Sequence, residues 1–204
     1  GHLESAMTGA WPALLEARKE GTAGKIGMGV NNGESYLDFL EAGLKPEVLL
    51  LAGRYTLIEQ GVMDSVFPAA LVSGTEIWLG GVFNSGILAT GNKPTATYNY
   101  VTAPANVREK AERLNLICRY HGVSLGAAAL QFAAANPAAH TCLLGPETVQ
   151  ELQECLEWLH QPIRGDFWQE LKRQWEIEGT APVPVWDAHK AFVMPHAAGK
   201  AEPA

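Results

Sequence analysis

The chain reads as an α/β protein built on a parallel sheet, and three observations predict this. Short apolar runs alternate with longer amphipathic stretches along the 204 residues, the pattern of parallel strands joined by crossover helices. The runs are apolar at consecutive positions rather than at every second one, as in strands covered on both faces. Signals for tight antiparallel hairpins are missing. With 47% hydrophobic residues, the chain carries enough apolar material for one sizeable core.

A helix over 7–20 stops at Gly21, a residue suited to the left-handed position after a helix, and Gly1-His2 ahead of it reads as a loop. The first strand covers 25–31. The second, 48–55, is approached through Gly43 and Pro46. A helix over 58–72 with Gly74 as its stop leads to a third strand, 76–83. The Gly/Pro/Asn-rich segment 84–104 is too long for a simple connector and reads as a functional loop or lid. Helices over 105–121 and 124–135 follow, the second so rich in alanine that it must pack closely against a neighbour. The fourth strand, 141–145, is entered from the Asn136-Pro137 break. Thr148 caps a helix reaching His160, and Asp166 caps another reaching Trp175. These elements make residues 1–178 one unit and 179–204 a loose Pro/Ala-rich tail. Four strands cannot close a barrel, and an open parallel sheet leaves two edges unpaired, so part of the structure is expected to be missing or supplied in trans.

Several function classes are excluded. The net charge is −7, from 15 basic and 22 acidic residues, and the basic residues are scattered, so no nucleic acid is expected as a partner. Apolar runs such as 48–53 fall far short of the roughly 20 residues a membrane span needs, and no leader-like segment opens the chain, so a cytoplasmic protein with no membrane contact is expected. Cys118, Cys142 and Cys155 are odd in number, lack CxxC pairing and read as reduced, packed thiols. His121, His140 and His160 sit in turn, strand-entrance and helix-end contexts, and no HExxH or paired His/carboxylate spacing points to a metal.

Three strand ends hold candidate binding residues. The carboxamides of Asn31 and Asn32 offer both donors and acceptors to a planar amide, although either could simply cap a turn. The turn containing Phe83, Asn84, Ser85 and Gly86 lets backbone N–H groups approach an anion without a side-chain clash, with Ser85 adding a hydroxyl; the alternative is an ordinary Ser-Gly turn. Gly145, Pro146, Glu147 and Thr148 precede a helix whose free N–H groups and positive dipole end favour an anion.

Four strings, in order, carry a family resemblance. Ile26-Gly27-Met28-Gly29-Val30-Asn31-Asn32 resembles the IGVSN string that ends the fifth strand of aldo-keto reductases. Leu51-Ala52-Gly53-Arg54-Tyr55-Thr56-Leu57 resembles the motif of the sixth, and Gly81-Val82-Phe83-Asn84-Ser85-Gly86-Ile87-Leu88 the segment after the seventh. Leu144-Gly145-Pro146-Glu147-Thr148-Val149-Gln150-Glu151-Leu152 is similar to the opening of the eighth helix. Within the family the strings look most like the fucose, D-threo-aldose and L-galactose dehydrogenase-like branch, with pyridoxal 4-dehydrogenase beside it.

The resemblance implies a partial (β/α)8 TIM barrel, strands five to eight, that holds a nicotinamide cofactor and serves a small sugar or carbonyl substrate. By position it places Asn31 and Asn32 on the nicotinamide, the turn over 83–86 on the pyrophosphate, and Gly145, Pro146, Glu147, Thr148, Glu151, Glu154 and Cys155 around the adenosine. NADP-selective relatives carry Arg at the positions of Glu147 or Glu151. A 2′-phosphate is repelled by carboxylates there, whereas a ribose hydroxyl can donate to them, so NAD is favoured over NADP. Both glutamates would equally suit a solvated helix N-terminus.

Two positions depart from the family pattern: its strand-six Gln falls on Ala52 and its nicotinamide-stacking aromatic on Gly80, leaving Trp78 or Phe83 as substitutes. The family's acid–base Tyr, with its Lys, Asp and His, belongs to the first four strands. Tyr55 matches the sixth strand and His2 lies too near the first strand here, so no catalytic residue is assigned. The expectation is an aldose 1-dehydrogenase-like oxidoreductase fragment, inactive alone. Its alternatives are a non-catalytic NAD-binding or assembly module, working as an oligomer or with a missing N-terminal half, and a fragment without function.

Overall fold

A computed structural model describes residues 2–185. The N-terminal run is helical from its first described residue: α1 (His2–Ser5), a π-helical turn (Ala6–Ala10) and α2 (Trp11–Lys19), with Gly21 left-handed at φ +77° as predicted. His2 therefore belongs to a helix and not to a loop. Then come β1 (Gly27–Val30), α3 (Glu34–Glu41), β2 (Val48–Ala52), α4 (Val66–Ser73), β3 (Glu76–Gly80) and the short α5 (Ile87–Thr90). The two-residue strands β4 (Thr97–Tyr98) and β5 (Val101–Thr102) precede α6 (Ala105–Tyr120) and α7 (Leu125–Ala134), and the chain continues through β6 (Ala139–Cys142), α8 (Val149–His160) and α9 (Gly165–Arg173).

β1, β2, β3 and β6 form one parallel sheet in that order, the α/β class with a parallel sheet that the sequence predicts. Alternation sorts its residues. Leu49, Leu51, Ile77 and Leu79 are fully buried, while Leu50 and Trp78, paired across β2 and β3, are half-buried on the other face. Burying each such aliphatic chain contributes about 1.5–3 kcal/mol. Among the described residues β1 and β6 are each paired on one side only. The alanine-rich α7 is buried along its whole length and touches α5, α6, α8 and β6, the close packing its composition predicts. Around it lies an aromatic stack in which Tyr55 meets Phe132 at 5.0 Å, and Trp168 meets Phe132 at 6.4 Å and Phe167 at 4.8 Å.

The structure corrects several further readings. The helix expected over 58–72 begins only at Val66. Ahead of it, Thr56 Oγ1 accepts from the N–H groups of Ile58 and Glu59, and Gln60 Nε2 donates to the carbonyls of Thr56 and Leu57, so side chains take the backbone groups a helix would use. The segment 84–104 contains an antiparallel hairpin, β4 with β5, turning through Asn99 at φ +50° and Tyr100 at φ +66°, a two-residue turn that lacks the usual glycine. Helix α3 went unpredicted. The fourth strand lies earlier than 141–145, at Ala139–Cys142. Asp166 stands inside the first turn of α9, where Oδ1 accepts from the Phe167 N–H at 3.1 Å, and Arg164 holds the cap position.

The tail expected from 179 stays packed at first. Ala181 is buried, Val183 packs on the core, and the Ala181 carbonyl accepts from Lys172 Nζ at 2.8 Å. The remainder of that expected tail, 186–204, lies outside the described residues.

Candidate functional site

Parallel strands deliver their following loops to one edge of a sheet. The cleft of interest, about 870 Å³, lies at that edge beyond the ends of β3 and β6. Its first wall is the turn after β3. Gly81, Asn84, Ser85 and Gly86 all take left-handed backbone angles, φ +60°, +45°, +56° and +93°. A side chain at Gly81 would meet the Gly53 nitrogen at 3.2 Å, so the ends of β2 and β3 close here on a bare backbone. Asn84 and Ser85 have no such exemption, and two adjacent non-glycine residues in this region are costly, on the order of 1–3 kcal/mol each where the conformation is sparsely populated. Their surroundings hold them. Asn84 is buried and its Nδ2 donates to the Gly53 carbonyl at 3.3 Å, while Ser85 Oγ accepts from the Tyr100 N–H at 3.2 Å and the Ser85 carbonyl from Thr97 Oγ1 at 3.0 Å. The β4–β5 hairpin is thus stitched to the turn.

The second wall is the entry to α8. Thr148 Oγ1 accepts from the Glu151 N–H at 3.1 Å, the predicted cap, and Glu151 Oε2 reaches back to accept from the Glu147 N–H at 2.7 Å. One carboxylate already sits on a donor of this loop. The first-turn N–H groups of Val149 and Gln150 have no intrahelical acceptor. The third wall is the face of α8 carrying Glu151, Glu154, Cys155 and Trp158, spaced as one side of a helix. Trp158 meets Phe83 edge to face, ring centroids 5.6 Å apart at 70°. Desolvation pushes the Cys155 thiol up, helped by the charges of Glu154 and Glu151, so it is a neutral lining group. Among the described residues, Lys93 is the one cation lining a cleft that also carries three carboxylates.

The family model described as the aldo/keto reductase family matches residues 4–176. The chain belongs to that family. It is 34% identical over 166 residues to a pyridoxal 4-dehydrogenase of Microbacterium luteolum, covering 81% of this chain and 48% of that protein. It is also 34% identical over 171 residues to a D-threo-aldose 1-dehydrogenase of a Pseudomonas species, covering 83% and 51%. The chain spans about half the length of these curated relatives. Among solved structures it resembles an aldo-keto reductase from Bacillus halodurans in its holo form, with a TM-score of 0.60 at 16% identity over 87% of this chain and 57% of that one. The apo form gives the same TM-score at 15% identity. The α/β fold of this aldo-keto reductase chain is therefore similar to part of that solved structure.

Of the residues singled out by sequence, Phe83, Ser85, Gly86, Gly145, Pro146, Glu147, Glu151, Glu154 and Cys155 line this single cleft. Four do not. Asn84 lies beneath it as a buried brace, with Oδ1 lacking a partner, and Thr148 is spent on the cap. Asn31 and Asn32 are exposed beyond β1, two strands away from β3, and Asn32 Oδ1 accepts from the Ser35 N–H at 2.9 Å, the turn-capping role left open above. Trp78 is not a lining residue, whereas Phe83 is. Sequence reading missed Lys93, Tyr100, Leu143, Leu144 and Trp158. Trp158 was within reach, being one helical step beyond Glu154 and Cys155. Lys93 and Tyr100 were not, because they arrive through an irregular loop and a hairpin. Among the described residues no cluster of three or more His, Cys, Asp or Glu side chains could hold a metal, and no helix is long and apolar enough to cross a membrane.

Proposed function

We propose that this chain is the cofactor-holding half of an NAD(P)-dependent oxidoreductase, with residues 1–178 corresponding to strands five to eight of the family barrel. The observation that carries this reading is the convergence, at one sheet edge, of the left-handed turn after β3 and the N-terminus of α8 on a common cleft. The residues suit a dinucleotide. Gly86 and Gly145 leave open space where a side chain would stand, which lets a phosphate approach the backbone, and the α8 dipole favours negative charge. Ser85, Gly86 and Lys93 would hold the pyrophosphate, and Glu147, Thr148, Glu151, Glu154 and Cys155 would surround the adenosine. Asn31 and Asn32 would reach the nicotinamide from the same edge, with Asn32 giving up its bond to Ser35.

Glu151 supports NAD over NADP. Its carboxylate occupies the Glu147 N–H that a 2′-phosphate would otherwise use, and Glu147 and Glu154 add negative charge beside it. When bound, the nicotinamide would accept or donate a hydride against a small sugar or carbonyl compound, the substrate class named by the curated relatives. This chain's own residues bind and orient the cofactor; the acid–base tetrad belongs to a complementary half, so the chain alone would bind without turnover. Three unpaired thiols fit a reducing, cytoplasmic compartment. The second reading, a non-catalytic NAD-binding or assembly module, is favoured by β1 and β6, which among the described residues are each paired on one side only.

Titration with NADH, followed by Trp fluorescence, tests both. Saturable binding without oxidation of L-fucose or D-aldoses supports the cofactor half, and activity regained on mixing with an N-terminal half from a relative separates it from the inert module. Absence of NADH and NAD binding refutes both readings.

A further inference from the structure

The wall formed by Trp158 is built with unusual care. The indole lies over Gly126 so closely that a Cβ there would meet its Cη2 and Cζ3 at 2.5 Å and its Cε3 at 2.7 Å. Gly126 is a buried, right-handed residue inside α7, where helix formation alone would prefer alanine, so the missing methyl group is explained by the ring above it. The backbone of Trp158 is fixed as well. Gln131 Nε2, on the same helix and almost wholly buried, donates to the carbonyls of Trp158 and Gln161 at 2.7 Å each. Gln161 in turn accepts from the Ser124 N–H at 3.3 Å, just before α7. Ring and main chain of Trp158 are therefore set by one buried helix, and the outcome is an aromatic corner with Phe83 facing the cleft between the α8 entry and the turn after β3.

We infer that Trp158, backed by Phe83, is the surface on which the purine of the bound dinucleotide packs, and that Gly126 is a positioning residue that sets how far the indole retracts from the cleft. This rests on the dinucleotide reading above. Chemically, an apolar aromatic corner beside Glu151, Glu154 and Cys155 suits a flat heteroaromatic ring with donors on its edge, and Trp158 with Phe83 is the aromatic pair on the wall that carries those groups. Gly126 acts only through Trp158. A methyl group on α7 would drive the indole outward and narrow the purine end while leaving the pyrophosphate turn untouched.

ADP-ribose and reduced nicotinamide mononucleotide, titrated calorimetrically against the full chain, divide the two ends of the ligand. Trp158→Leu is expected to weaken ADP-ribose about tenfold, the scale of one lost aromatic contact, and to leave the mononucleotide within about twofold. Gly126→Ala should weaken ADP-ribose in the wild-type background and have no effect when combined with Trp158→Leu. ADP-ribose binding to Trp158→Leu at wild-type strength overturns the inference while leaving the dinucleotide reading intact, and equal losses for both ligands overturn it by making the indole mere scaffolding. A Gly126→Ala effect that persists without the indole removes the positioning role. Failure of the wild-type chain to bind ADP-ribose at all overturns both readings. Should Trp158→Leu not fold, the ligand-induced change in fluorescence of wild type minus that of Trp158→Phe reads the same contact, and a zero difference counts against it.

Discussion

Glu151→Ala separates capping from cofactor choice. The Glu151 carboxylate makes one charge-assisted bond, to the Glu147 N–H at 2.7 Å, and sits in the first turn of α8, where the helix dipole favours it. The Thr148 hydroxyl accepts from the backbone N–H of residue 151, so the main cap survives the substitution. The loss is thus a net hydrogen bond of about 0.5–1.5 kcal/mol and a dipole contribution of about 0.3–1 kcal/mol at an exposed site. Their sum, about 0.8–2.5 kcal/mol, lowers Tm by roughly 2–4 °C per kcal/mol in a protein of this size. Cofactor preference moves in a separate direction. Removing one negative charge and releasing the Glu147 N–H favours a 2′-phosphate by on the order of 1 kcal/mol at the partly solvated cleft, about a fivefold gain in NADPH affinity relative to NADH. Differential scanning fluorimetry reads the first quantity and paired NADH and NADPH titrations the second. Salt provides an internal check, because the gain should shrink between low and high ionic strength. Glu151→Gln keeps an acceptor for the Glu147 N–H, so it should lose less Tm yet gain part of the same selectivity. A Tm that falls while the NADPH/NADH ratio stays within twofold for both variants would show that Glu151 only caps the helix.

Two further outcomes are expected. Burial pushes the Cys118 thiol up to about 12, so the folded chain holds that proton while the unfolded chain releases it near pH 9; the associated stability is complete below about pH 8 and declines as pH rises toward 12. Urea unfolding at pH 7 and pH 10 should differ by roughly 1–2 kcal/mol more in wild type than in Cys118→Ala, and parallel pH dependences in the two proteins contradict the assignment. The hairpin should loosen when its anchor is removed. Glu59 accepts from the Tyr98 hydroxyl and faces Arg54, which donates to Asn99 Oδ1 at 2.7 Å, so Glu59→Ala should speed hydrogen exchange at the Tyr100 amide bonded to Ser85 while exchange in α7 stays unchanged. Equal exchange at Tyr100 in both proteins rules out the anchor.

The parts of the fold legible in the sequence are those governed by neighbours along the chain. Thr148 was readable as a cap because its acceptor and the Glu151 donor lie three residues apart, and Gly21 because a left-handed residue after a helix needs no distant partner. The parallel sheet followed from runs such as Val48–Ala52, whose alternate residues face different covers. What failed was decided by competition or by distance. Residues 58–65 have helical composition, but the Thr56 hydroxyl and the Gln60 amide claim their backbone first. The hairpin was hidden by a turn made of Asn99 and Tyr100, held left-handed by the Asn99 bond to Arg54 and the Tyr100 bond to Ser85. Asn84 has every feature of a lining residue except its tertiary partner, the Gly53 carbonyl, which draws it under the cleft.

The cleft and the core cannot be treated as separate designs. Alanines on α7 let α8 approach closely, and α8 carries both the carboxylates and Trp158 into the cleft. Gln131, which composition alone marks as an oddity in an alanine-rich helix, is the bolt between them: buried with both N–H bonds made to the end of α8, it holds the far end of the helix whose near end Thr148 caps. The proposed anion seat at the N-terminus of α8 requires a rigid helix, because a dipole and two free amides are useful only where their direction is fixed before the ligand arrives. Substitutions in α7 that preserve the core volume but shift α8 should therefore appear first as lost ligand affinity and only later as lost stability.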